Sequence, residues 1–309
     1  MSADQSSPEN LANRAKLALT LMNQAHAQQL TNDPAQITAA VASYEQAIAI
    51  LRTLPHAENP ALANSLGAAW MNRGQLLHRL RSNAQIAPAL ESFQEALAVF
   101  QSIRGEPNPW VRRNFLGTLL NRAVLLMDLS EHRGALADAR LALQLAPRHE
   151  REELVDADLS LKLRHLACNA LIRLIAVAPA TEQPALASEA TDLVDDGLAL
   201  AREWSARGDT TLAVIAARLF RFGAQLYRVH QPHFLAEFVT EQLDATPASA
   251  DVIEFARENL ELALATRPTE PFLTVGDPAS ERHVQTARDL QAALEKISAL
   301  APPPTRSAT

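Results

Sequence analysis

The chain has little of what many functional classes need. Cysteine occurs once among 309 residues, at Cys168. An internal disulfide and a cysteine-based metal cluster are therefore excluded. Glycine occurs nine times, and neither a phosphate-cradling glycine loop nor a Gly-x-Ser-x-Gly elbow can be found. Lysine stands only at 16, 162 and 296, within a net charge of −7. Without a dense basic stripe, such a surface argues against nucleic-acid binding. No stretch reaches ~18 uninterrupted apolar residues, so no membrane-spanning helix is expected. The polar, acidic start lacks the basic and apolar runs of a signal peptide. These absences lead to the expectation of a cytoplasmic chain with no membrane, nucleic-acid, metal or cofactor partner.

Alanine and leucine dominate what is present, aromatics are 5% of residues, and no Val, Ile and Thr alternation marks a strand. Small side chains let helices approach closely, so the fold expected is all-α. Helical patterning predicts helices near 11–30, 35–53, 60–80, 86–103, 109–129, 133–146, 152–177, 184–206, 210–229, 233–244, 248–265 and 278–300. Asp33-Pro34, Asn59-Pro60 and Asn108-Pro109 each place a capping side chain before a proline suited to the first helical position.

An internal repeat runs through the first half with a period of 49 residues. Asn10, Asn59 and Asn108 follow it, each ahead of a helical run. So do Leu17, Leu66 and Phe115, then Asn23, Asn72 and Asn121, then Ala25, Gly74 and Ala123. Ala40 matches Ala89, Tyr44 matches Phe93, and Ala47 matches Ala96. A repeat of this length implies stacked supersecondary units, because one unit cannot bury its apolar face alone. In the third unit Ala123, Ala135, Ala139, Ala142 and Pro147 fall in a fixed frame.

That frame resembles the tetratricopeptide repeat, a helix–turn–helix with small residues at set places and a closing proline. Here it is a long-repeat variant, with extra residues expected in the turn between Ser82 and Pro88. Beyond residue 147 the match decays. Gly223, Leu219 and Leu226 look like another first helix, and around Asn169 two registers remain open. The resemblance implies a right-handed α-solenoid of antiparallel helix pairs. The divisions expected are a disordered leader over 1–9, three units over 10–147, and degenerate hairpins over 148–266. A linker over 267–277, a capping helix over 278–300 and a disordered tail over 301–309 follow.

The resemblance also implies that first helices line a concave, peptide-binding groove. On its frame the groove takes Met22, Asn23 and His26 from unit one. Unit two gives Met71, Asn72, Gln75, His78 and Arg79, and unit three gives Asn121 and Met127. Methionine adapts to varied apolar partners, and asparagine both donates and accepts hydrogen bonds. Asn23, Asn72 and Asn121 form either a ladder for the backbone of an extended peptide or a feature of local structure. In the Gly223 register, Arg221 and Arg228 face the groove beside Tyr227 and suit an acidic segment. The alternative is that this arginine stripe pairs with Asp195 and Asp196. His230-Gln-Pro-His233 is interrupted by proline and offers no helical metal face. The expected function is a non-catalytic adaptor for a protein or peptide. The alternatives are a self-associating scaffold, which makes a homo-oligomer, and a regulatory accessory subunit of an enzyme complex.

Overall fold

The computed structural model describes residues 7–31, 33–146, 153–245, 249–265 and 278–300. Among them are twelve α-helices and no strand. The predicted leader (up to residue 6), the 267–277 linker and the 301–309 tail lie outside the described residues. Contacts divide the chain into two compact units, Met1–Ala146 and Pro147–Thr309. Each is an all-α stack of packed helices.

The first unit holds α1 (Pro8–Gln29), α2 (Pro34–Leu51), α3 (Pro60–Arg79), α4 (Asn83–Ser102), α5 (Pro109–Asp128) and α6 (His132–Leu145). Helix starts follow the cap chemistry. The Asn59 carbonyl oxygen accepts from the N–H groups of Ala61 and Leu62 at 3.1 and 3.2 Å. Asn108 accepts from Trp110 at 2.9 Å, and Asp33 from Ala35 at 3.0 Å. Each side chain satisfies a donor that the first helical turn leaves orphaned. Asn10 does not play this part. Ser7 caps α1, its hydroxyl accepting from Asn10 N–H at 3.3 Å, because Ser7-Pro8 supplies the cap-then-proline pattern three residues earlier.

Pro88 also departs from expectation. It lies inside α4 rather than in the turn before it. Proline has no N–H to give the carbonyl one turn back. Its own carbonyl is well used, accepting from the Ser92 hydroxyl at 2.7 Å and from Arg73 at 3.3 Å.

Consecutive helices pair as α1·α2, α3·α4 and α5·α6, and each pair packs on the next. The small residues of the repeat sit where helices cross. Ala25, Ala40, Ala47, Ala89, Ala96, Ala123, Ala135, Ala139 and Ala142 are all fully buried. Gly74 lies under the Phe93 ring, where an added Cβ would come within 2.9 Å of it. Arg122 fastens α5 to α6 through two bonds to the buried Asp138 carboxylate, 2.7 and 2.5 Å.

The second unit holds α7 (Leu154–Ile175), α8 (Gln183–Ala206), α9 (Ala213–His230), α10 (Leu235–Ala245), α11 (Ala250–Ala265) and α12 (Pro278–Leu300). Here α9 is the hub, packing on α7, α8, α10 and α11. Gly223 of α9 repeats the close approach of Gly74, with the Phe238 ring of α10 pressed against it. Cys168 is buried in α7, donating its S–H to the Ala190 carbonyl at 3.6 Å. The terminal α12 packs on α10 and α11 through Leu290, Ala293 and Ile297. Val284, expected on that apolar face, is 37% exposed.

Candidate functional site

In the first unit, direct bonds join the first helices of successive pairs. Arg79 of α3 donates to the Gln29 carbonyl of α1 at 3.4 Å. His78 of α3 meets Asp128 of α5 at 2.8 Å, and Asn114 donates to Asn64 at 3.0 Å. In each link the two residues stand 50 apart in the chain. The helices α1, α3 and α5 are thereby knit side by side.

The sequence-selected residues divide between two jobs. His78 and Arg79 make the links just described, and His26 meets Gln29 Nε2 at 2.7 Å. Asn72 hydrogen-bonds the Tyr44 hydroxyl of α2. Burial raises the Tyr44 pKa, and the amide partly offsets that rise. Phe93 occupies the repeat position of Tyr44 and has no hydroxyl, so this local role cannot recur at Asn121. Asn23 and Gln75 are exposed, and Asn121 is half-buried. Met22, Met71 and Met127 are half-buried too, with Leu19 47% and Val124 37% exposed among them. Residues 19, 22, 23 and 26 share one sector of α1, as 117, 120, 121 and 124 do of α5. The face is therefore apolar and amide-bearing, and water reaches it.

In the second unit, Arg221, Tyr227 and Arg228 all hold internal partners. Arg221 pairs with Asp251 and lies over the Phe255 ring at 5.6 Å. Arg228 donates to the Asn259 side chain at 3.0 Å. The Tyr227 hydroxyl donates to Asp195 at 2.7 Å. Burial pushes the Asp195 carboxyl upward, and the Tyr227 bond opposes that in part. Tyr227 itself is raised by its burial and by the neighbouring carboxylate. Arg221 and Arg228 therefore take Asp251 and Asn259 as partners, where the sequence offered Asp195 and Asp196 to the arginine stripe, and Asp195 is engaged by Tyr227 instead.

Sequence reasoning missed a cleft of about 500 Å³ in this unit, set between α8, α9, the end of α10 and the start of α11. The one available signal was Ala213, Ala216 and Ala217, a run of small side chains on α9. Among the described residues, no three His, Cys, Asp or Glu side chains converge to hold a metal. None of the described helices is long and apolar enough to cross a membrane.

No protein-family model and no curated protein matches the chain. Among solved structures it is similar to BtubC (BKLC) from P. vanneervenii, at 15% identity over 88% of this chain and 96% of that one, with a TM-score of 0.47. It is also similar to the de novo designed helical repeat protein DHR64, at 16% identity over 94% and 96% of the two chains, TM-score 0.20. A computationally designed self-assembling cyclic homo-oligomer matches at 14% identity over 95% and 98%, TM-score 0.20. The described residues of this chain form α-helices packed in two compact units.

Proposed function

We propose that the first unit is a long-repeat relative of the tetratricopeptide family and that the chain is a non-catalytic adaptor. In this reading the joined face of α1, α3 and α5 receives an extended peptide. The observation that carries it is the chemistry of that face. Leu19 and Val124 stand in water beside half-buried methionines, on helices already joined to one another. Clustered apolar side chains left exposed mark interaction surfaces. Asn23 and Asn121 add donors and acceptors for a peptide backbone without demanding a particular sequence. The burial of the repeat's alanines at the helix crossings supports the family assignment.

Asn72 is left out of the proposed contact set, because its amide is engaged with Tyr44. The test is a random-peptide display library panned on the full chain, followed by titration of the selected peptides. Asn23→Ala combined with Asn121→Ala should weaken them by about tenfold, the size of one or two lost hydrogen bonds. Both positions are solvent-accessible, so the melting curve should not move. Peptides that bind the double variant as tightly as the wild type would overturn the proposal.

A further inference from the structure

We infer that the cleft of the second unit binds a small apolar acid, an aliphatic or aromatic chain ending in a single carboxylate. The cavity of about 500 Å³ is of the size that accepts small molecules, which occupy clefts of roughly 300–1,000 Å³ with mostly apolar walls and a few placed polar groups. Its walls are Leu198, Phe220, Leu243 and Val252, opened on the α9 side by Ala213 and Ala217. Larger side chains at those two places would fill the space.

The charged groups lining the cleft specify the ligand's head. Arg218, Arg221 and Asp251 all line it. Two positive charges and one negative leave a single positive charge, matched by a monoanion and over-filled by a dianion. Arg221 is held in place at two points, by its pair with Asp251 and by the Phe255 ring beneath it. Guanidinium groups pair with carboxylates through parallel N–H bonds, and Arg218 and Arg221 both line the cleft to offer them. The ligand's chain then covers the apolar wall that Val214, 65% exposed at the cleft, leaves open to water.

The test is calorimetry on the full chain with sodium decanoate, kept below its micelle concentration, against decan-1-ol as the uncharged analogue. One decanoate per chain should bind, with decanol about tenfold weaker, the loss expected for one charge-assisted hydrogen bond. Arg218→Gln with Arg221→Gln should weaken decanoate by a similar factor and leave decanol unchanged. Ala217→Leu keeps both arginines and should abolish binding of both probes by filling the cleft. Asn23→Ala with Asn121→Ala should leave decanoate binding untouched, since those residues lie in the first unit; failure of the peptide proposal would thus be separate. The inference is overturned if decanoate fails to bind, if alcohol and acid bind alike, or if all variants take up several molecules in the same way. Circular dichroism of each variant checks that the fold persists.

Discussion

Asp195 shows how a single side chain sets a pH dependence. Burial holds its carboxyl above the ordinary aspartate range, despite the hydrogen bond from Tyr227. A raised folded-state pKa means that the fold favours the protonated form. Its stabilising contribution is therefore complete at low pH and is lost as pH rises through the folded pKa. Asparagine at this position keeps an oxygen to accept from Tyr227 and carries no charge. The wild type should lose stability relative to Asp195→Asn as pH climbs through the carboxylate range, read as diverging melting temperatures. Parallel profiles would show that the carboxyl is solvated after all. The sequence placed Asp195 near the arginine stripe but could not assign it to Tyr227. Likewise, Asn72 reads as one of three equal asparagines, and only the packing of α2 against α3 gives it Tyr44. Side-chain partners across helices depend on rotation and tilt, which periodicity does not specify.

Helix existence was legible because caps, prolines and small residues repeat. Asn59 and Asn108 cap as the sequence suggests, whereas Asn10 yields to Ser7 because its neighbour is not a proline. Pro88 was misjudged because α4 already starts at Asn83, and the helix tolerates the single intrahelical bond that the proline forfeits near its first turns. In the second unit the helices were visible but their pairing was not, since α9 packs on four neighbours rather than following a hairpin rhythm. The cleft arises from that irregular packing and left only three alanines as a trace. At this scale the glycine contacts give a sharp test. A Cβ at Gly223 would collide with Phe238 and lie 2.8 Å from Val194 Cγ1. Gly223→Ala should destabilise by about 1–3 kcal/mol through overpacking, outweighing the gain of about 1 kcal/mol that alanine normally brings to a helix. Gly105→Ala, with nothing within 4 Å, should not destabilise. Chemical denaturation of both variants checks the contrast, and a stabilised Gly223→Ala would refute it.

The whole molecule carries its only cysteine in one of two contact units. Burial pushes the Cys168 thiol up to about 12, so the reactive thiolate is scarce until α7 opens. Labelling of Cys168 along a denaturant titration should follow the second unit, while far-ultraviolet dichroism follows all the helices. Two dichroic transitions, only one matched by labelling, are expected. A thiol that reacts in native buffer, or a single coincident transition, would contradict independent units.

The links between α1, α3 and α5 have a mechanical meaning as well. They are single polar bonds, Arg79 to Gln29 and His78 to Asp128 exposed and Asn114 to Asn64 half-buried. The alanine crossings that hold each helix pair together lie in the core. A load that spreads the face meets the weaker set first, at about 1 kcal/mol per link. Splaying of α1, α3 and α5 therefore begins at these side-chain bonds, while the packing of α2 on α3 and of α4 on α5 acts as the hinge that keeps the pairs together.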